Sequence, residues 1–173
     1  MRYEGGGHRP AVAFDPQGVV FAAAICGGRI KLFDVRAYDK GAFLTFLTSD
    51  LGGSRSFSGI KFSNDGAHML LCTTGGTHAL LDAFKGNIVQ TYSGHITNPD
   101  AQPSQPLEAC FGPYSEFVLA GGGDGGIWRW ETRSGKALRT LRGHHAPVGA
   151  IRCNPTRMMI ASADTATCLW LPD

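Results

Sequence analysis

The sequence predicts an all-β protein built from four consecutive repeats, each a small antiparallel sheet. The residue that ends the first apolar segment of a repeat recurs at intervals of 48, 49 and 42 residues; these residues are Phe14, Phe62, Phe111 and Cys153. The third apolar segment closes on a bulky apolar residue, followed by an acid in three of the four repeats; these pairs are Phe33-Asp34, Leu81-Asp82, Trp130-Glu131 and Trp170-Leu171. No segment shows the periodicity of a convincing amphipathic helix.

Short apolar segments and turn residues place the strands within each repeat. Ile30, Lys31 and Leu32 alternate apolar and polar, which is the pattern of a half-buried strand. The segment from Ser63 to Gly66 (Ser-Asn-Asp-Gly) supplies residues that tolerate positive φ, as a tight hairpin requires. The predicted strands cover residues 10–16, 19–25, 29–35 and 42–47, then 57–63, 68–74, 77–83 and 87–93, then 107–112, 116–122, 126–132 and 136–142, and finally 148–153, 158–163 and 167–171.

The Gly-His dipeptides Gly94-His95 and Gly143-His144 add to this repeat and lie 49 residues apart. A period of about 40–45 residues with a Gly-His opening and a Trp-Asp closing is typical of WD40 propeller blades. We therefore expect an incomplete WD40 β-propeller of about four consecutive four-stranded blades, the last lacking its outer strand. The predicted units cover residues 8–49, 50–94, 95–143 and 144–173.

Composition and charge bear on the class of partner. The net charge is +2 and no two Lys or Arg residues are adjacent, so we expect no direct binding of nucleic acid. The longest uncharged apolar run, Val19 to Cys26, is too short to span a bilayer, and the first residues lack a continuous apolar core, so we expect no signal peptide there. We expect no membrane association.

The cysteines and histidines predict neither a metal site nor a disulfide framework. The five cysteines are Cys26, Cys72, Cys110, Cys153 and Cys168. Their number is odd, no two form a Cys-x-x-Cys pair, and all lie in or beside apolar segments, which favours free thiols packed in a reducing compartment. No histidine has metal-ligand spacing to cysteines or carboxylates. We expect no cofactor.

Two further segments depart from a plain repeat. Residues 96–106 contain three prolines among polar residues and predict a projecting loop, either a tolerated insertion or a partner contact.

The glycines from Gly121 to Gly126 match a dinucleotide fingerprint formally. A bulky strand, Ile127 to Trp130, follows them instead of a helix, so they predict a blade hairpin turn.

A buried hydrogen-bond network is the main candidate for a site. In WD repeats the Gly-His histidine donates to an aspartate six residues before the closing tryptophan and contacts a Ser or Thr that reaches the indole. The fourth unit carries all four groups, and the third lacks the hydroxyl; the candidates are His144, Ser162, Asp164 and Trp170, and His95, Asp124 and Trp130. A Ser-His-Asp catalytic interpretation lacks a nucleophile elbow and a recognisable oxyanion loop. We predict a structural network and no catalytic residues.

Beyond the generic repeat, five segments carry a more specific resemblance. Leu81-Asp-Ala-Phe-Lys-Gly86 is especially specific, because the usual Trp-Asp closing is lost there. The other segments are Lys31-Leu-Phe-Asp-Val-Arg-Ala-Tyr-Asp-Lys-Gly41, Gly59-Ile-Lys-Phe-Ser-Asn-Asp-Gly66, Leu107-Glu-Ala-Cys-Phe111 and Leu169-Trp-Leu-Pro172. Through these segments the chain resembles one family, the Swd-two-type WD-repeat subunits of the COMPASS histone-lysine methyltransferase complex.

The resemblance implies a nuclear, non-enzymatic scaffold that supports methylation of histone H3 on lysine 4 and is linked to transcription and RNA 3′-end processing. Its implied partners are subunits of the histone-lysine methyltransferase complex and, as for animal members of the family, of a nuclear protein-phosphatase complex. The resemblance covers the C-terminal part of a propeller of about seven blades. We therefore expect that the two end faces of the four-blade arc need covering by further chain, a partner or an oligomer.

A second function stays open at this point. Substrate receptors of cullin-type ubiquitin ligases carry an adaptor-binding motif ending Trp-Asp-x-Arg. Phe33-Asp-Val-Arg36 and Trp130-Glu-Thr-Arg133 approximate this motif without matching it fully. Co-purifying subunits of a methyltransferase or of a cullin adaptor would separate the two hypotheses.

Overall fold

The computed structural model describes residues 10–25, 28–48, 57–73, 76–95 and 107–172, and these residues form four antiparallel sheets in chain order. The first sheet contains β1 (Ala11–Phe14), β2 (Val20–Ile25), β3 (Arg29–Asp34) and β4 (Leu44–Leu47), and the second contains β5 (Phe57–Phe62), β6 (His68–Thr73), β7 (Thr77–Asp82) and β8 (Ile88–Ser93). The third contains β9 (Ala109–Phe111), β10 (Phe117–Gly121), β11 (Gly126–Glu131) and β12 (Leu141–Arg142), and the fourth contains β13 (Ala150–Cys153), β14 (Ile160–Ala163) and β15 (Thr167–Trp170).

This architecture confirms the predicted all-β fold. The described residues contain no α-helix; two turns of 3-10 helix occur among them, Tyr38–Lys40 before β4 and Pro113–Ser115 before β10. None of these residues forms a helix long and apolar enough to cross a bilayer. The fourth sheet has three strands in the described part of the chain, as expected for a last blade without its outer strand. The unit limits drawn from the sequence stay a prediction.

Side chains in the turns fix the hairpins. Asp15 Oδ1 accepts hydrogen bonds from the backbone N–H groups of Val19 (2.7 Å) and Val20 (2.8 Å) and so closes the β1–β2 turn. In the β5–β6 turn, Asp65 accepts from the Ser63 hydroxyl, and Gly66 adopts a φ of +72°. The positive φ explains why glycine stands at the end of this turn.

The apolar cores lie between neighbouring sheets. One buried cluster joins the first two sheets, a second joins the second and third, and another joins the third and fourth; the largest fully buried members include Ile30, Leu71, Leu80, Leu119 and Ile151. The first strands of successive sheets, β1, β5, β9 and β13, also contact one another in order. Sheets stacked face to face with their first strands innermost are the packing of successive propeller blades.

One strand prediction is largely wrong. Residues 136–142 were expected to form the outer strand of the third sheet, but only Leu141–Arg142 pair as a strand, with one isolated bridge between Trp130 and Ala137. The bridge and the pair Ile127–Leu141 differ by one residue in register. A one-residue shift interrupts the ladder, and the sequence pattern does not reveal it.

Candidate functional site

The structure brings together the four candidate residues of the fourth sheet. His144 Nδ1 lies 2.9 Å from Asp164 Oδ1, and His144 Nε2 lies 2.6 Å from Ser162 Oγ. The Trp170 indole N–H donates to the same Ser162 oxygen at 2.7 Å. Ser162 lies in β14, Asp164 begins the β14–β15 turn, and Trp170 ends β15, so a single hairpin positions three of the four groups.

The partners define one direction of hydrogen bonding through this four-residue network. The histidine donates from Nδ1 to the carboxylate, which leaves Nε2 to accept the serine hydroxyl proton, and the serine oxygen accepts from the indole. Backbone N–H groups of Ala166 and Ala146, together with the histidine, hold the pKa of Asp164 well below its usual range. Each polar side-chain group of this four-residue network therefore has a partner.

This geometry suits rigidity better than catalysis. Ser162 is only 2% exposed, and its oxygen is already engaged by both His144 and Trp170. A nucleophile needs access to a substrate and an oxyanion site beside it. A buried network in which every polar group is hydrogen-bonded instead fixes the relative positions of the strands that carry it.

The third sheet arranges its three candidates differently, and the structure does not join His95 to Asp124. Asp124 accepts hydrogen bonds from the Gly126 backbone (3.0 Å) and the Trp128 indole (3.3 Å), and it pairs with Arg142 at 3.4 Å. Gly122 occupies the place of Ser162, eight residues before the closing tryptophan.

The absence of a side chain at Gly122 is what lets Trp128 approach the carboxylate. A Cβ at this position would collide with both Asp124 and the indole of Trp128. The tryptophan therefore takes the carboxylate that the histidine takes in the fourth sheet.

His95 instead enters an aromatic stack between the second and third sheets. It lies edge-on to Trp130, with ring centroids 5.7 Å apart, and it stacks on His78 with centroids 4.4 Å apart. Neither ring nitrogen of His95, nor Nε2 of His78, has a hydrogen-bond partner among the described residues. The predicted set missed His78, which sequence spacing does not single out.

Burial keeps both stacked histidines neutral. It lowers the pKa of His78 to about 3, with smaller contributions from the neighbouring His95 and from Lys61. It lowers the pKa of His95 to about 4. A charge on either ring would be desolvated and would face the other ring, so the interface is stable with both rings uncharged.

Glu108, which the sequence analysis also missed, connects three sheets. Its carboxylate pairs with Lys61 of β5 at 3.1 Å and with Arg152 of β13, and it accepts from the Ile151 backbone at 3.2 Å. Partial burial alone would raise the pKa of Glu108, but the two cations outweigh it and the pKa is lowered. Glu108 therefore holds the inner strands of the second, third and fourth sheets together.

The cysteine thiols of the described residues are free, and the two buried ones, Cys72 and Cys110, are unreactive in character. Burial raises the pKa of Cys72 to about 11 and that of Cys110 to about 12, so the nucleophilic thiolate is suppressed. Cys26 lies outside the described residues. Within the described ranges, no three His, Cys, Asp or Glu side chains are grouped as metal ligands.

Comparison with known proteins identifies the family to which these repeats are similar. Residues 135–170 match the family model described as WD domain, G-beta repeat. The chain is 40% identical to WD repeat-containing protein 82 of Drosophila melanogaster over 95% of this chain and 50% of the relative. It is 41% identical to Protein ANTHESIS POMOTING FACTOR 1 of Arabidopsis thaliana over 95% of this chain and 48% of that protein.

A fungal relative is more distant and matches a similar share of the chain. COMPASS component SWD2 of Saccharomyces cerevisiae is 29% identical over 94% of this chain and 52% of its own length. The chain thus spans about half the length of the relatives it matches. The recurring spacing, the four sheets and these similarities show that the chain is a WD40-repeat protein homologous to WD repeat-containing protein 82 and to SWD2.

Proposed function

We propose that the chain is a non-enzymatic protein-interaction scaffold in a nuclear histone H3 lysine-4 methyltransferase complex of the COMPASS type. The carrying observation is the similarity over nearly the whole chain to a protein named as a COMPASS component. The specific segments quoted above, such as Leu81 to Gly86, support the same assignment.

The geometry supports a scaffold because the buried polar side chains bind one another and hold the sheets in place. The hydrogen bonds of His144, Ser162 and Trp170 join the segment before the fourth sheet to its last hairpin, and Glu108 joins three sheets. When the blades are rigid, the turns that connect their strands form a fixed surface to which partners can bind. On this proposal the partners are methyltransferase subunits and a nuclear protein-phosphatase complex, with links to transcription and RNA 3′-end processing.

Affinity purification of the tagged full chain from nuclear extract tests the proposal. We expect histone-lysine methyltransferase subunits among the recovered proteins, and a fluorescent fusion in the nucleus. Depletion of the protein should lower methylation of histone H3 on lysine 4 and increase transcription past normal RNA 3′ ends. Recovery of a cullin adaptor without methyltransferase subunits would contradict the proposal.

One variant separates the two candidate functions. Arg36 is exposed, and its guanidinium is bound to Asp34 in the β3–β4 connection at 3.0 Å. The adaptor motif of the competing hypothesis depends on this arginine, whereas Arg36→Ala should leave the methyltransferase subunits bound. Recovery of a cullin adaptor with the parent chain but not with Arg36→Ala would favour the ubiquitin-ligase hypothesis.

A further inference from the structure

A cleft opens between the first and second sheets on the side where β1 turns into β2. Its volume is about 320 Å³, within the range of pockets that hold a ligand. The two neighbouring turns meet beside it, since a Cβ on Gly66 would lie 3.5 Å from the Pro16 ring. The side chains that line it come from both sheets; those used below are Asp15, Phe43, Asp65 and Phe84.

Two aromatic rings at this cleft are exposed although the backbone beneath them is fixed. Phe43 is 58% exposed and Phe84 is 76% exposed. The Phe43 N–H donates to the Leu32 carbonyl at 3.0 Å, and the Phe84 N–H donates to Asp82 Oδ1 at 2.8 Å. Exposed aromatic side chains held on an ordered backbone and grouped at a concave site are typical of binding surfaces.

The charge of the cleft has one sign. Asp15 and Asp65 both line it, whereas none of its lining residues is Lys, Arg or His. The hydroxyl of Ser63 and the backbone N–H of Ala67 lower the pKa of Asp65, so this carboxylate is ionised at neutral pH. The cleft is therefore anionic in a chain whose net charge is +2.

We propose that this cleft binds a lysine or arginine side chain presented by a peptide segment of a partner protein. The aliphatic part of that side chain packs against the rings of Phe43 and Phe84, and its cationic group faces Asp15 and Asp65. Aromatic faces attract cations, and long basic side chains bury their stems while keeping the charge paired. The site does not depend on the methyltransferase assignment, because any partner with such a segment would fit it.

The probe is a blocked pentapeptide, Gly-Leu-Arg-Leu-Gly, titrated into the full chain and followed by NMR signals of the phenylalanine rings. Its control carries citrulline in place of arginine, which keeps the shape and removes the charge. We expect the arginine peptide to shift the Phe43 and Phe84 signals and to bind about tenfold more tightly than the citrulline peptide. Equal binding of the two peptides, or an arginine peptide that leaves both rings unshifted, would overturn the proposal.

Three variants locate the binding. Phe84→Ala should weaken the arginine peptide about threefold or more, and Asp65→Asn should remove much of the preference for arginine over citrulline. Both turn hydrogen bonds of Asp65 use Oδ1, which asparagine retains. Tyr38→Ala is the matched control, since Tyr38 is 64% exposed and lies outside the cleft.

Two results would assign the cleft differently. Equal effects of Phe84→Ala and Tyr38→Ala would show that the peptide binds elsewhere. Self-association of the parent chain in sedimentation that Phe84→Ala abolishes would show that a second copy of the chain occupies the cleft. Peptide binding is measured without the methyltransferase complex, so its failure is distinguishable from failure of the proposed function.

Discussion

Ser162→Ala should destabilise the protein more than an ordinary serine deletion. The substitution removes the only oxygen that links His144 to Trp170 in the fourth sheet. It leaves His144 Nε2 buried without an acceptor or donor and the Trp170 indole N–H without its acceptor. An unpaired buried polar group costs about 1–3 kcal/mol. Because Trp170 is partly exposed, its N–H regains some hydration, and we expect a total loss of about 2–4 kcal/mol.

Urea unfolding followed by tryptophan fluorescence measures this loss, provided that the denaturant dependence is unchanged between variants. Ser58→Ala is the matched control, because the Ser58 hydroxyl is also buried but has no hydrogen-bond partner among the described residues. Removing that oxygen should leave the free energy of unfolding unchanged or slightly higher. If Ser162→Ala and Ser58→Ala shifted the midpoint equally, the four-residue network would not stabilise the fold.

Three other perturbations test the sheet interfaces and the long loop. The folded pKa values of about 3 for His78 and about 4 for His95 lie below the unfolded value of 6.5. The unfolded chain therefore takes up protons first. The two neutral histidines contribute their full share to the free energy of unfolding above pH 6.5. Between pH 6.5 and pH 4 this free energy should fall, for each histidine, by up to about 1.4 kcal/mol per pH unit. Urea midpoints across this range should show about half the slope in His95→Phe and the full slope in the exposed-site control His145→Gln. Glu108→Gln should cost about 1 kcal/mol, with a smaller cost in high salt; equal costs in low and high salt would exclude the ion pairs as the cause. Replacing Thr97 to Gln105, which lie outside the described residues, with a short Gly-Ser linker should change stability by less than about 0.5 kcal/mol, and loss of a cooperative transition would contradict this.

Repeat spacing predicted most of the fold because each sheet is assembled locally. The strands of a sheet follow one another in the chain, so turn residues such as those from Ser63 to Gly66 fix both the hairpin and its register. The irregular outer ladder of the third sheet escaped prediction, since a one-residue shift near Ala137 leaves the composition of the segment unchanged. Periodicity indicates where a strand can form and a tight turn fixes the register beside it, whereas a register shift away from the turn depends on side chains of the neighbouring strand.

The same distinction between local and long-range contacts explains the site. Ser162 and Trp170 belong to one hairpin, so their spacing in the sequence was enough to place them together. Glu108 contacts residues 47 positions earlier and 43 or 44 positions later, on two other sheets. Nothing within its own repeat distinguishes it from a solvated acid, and its role emerges only when three sheets are packed.

The third sheet shows how a repeat loses the histidine network and keeps a polar partner for its carboxylate. With glycine at position 122, no hydroxyl can relay between His95 and the closing tryptophan, and the vacated space admits the Trp128 indole beside Asp124. His95 is then left to an apolar interface, where stacking on His78 substitutes for hydrogen bonding. Such a stack tolerates only uncharged rings. Where the fourth unit has a hydrogen-bonded network built on a hydroxyl, the third unit thus has a contact between two sheets that protonation of either ring would weaken.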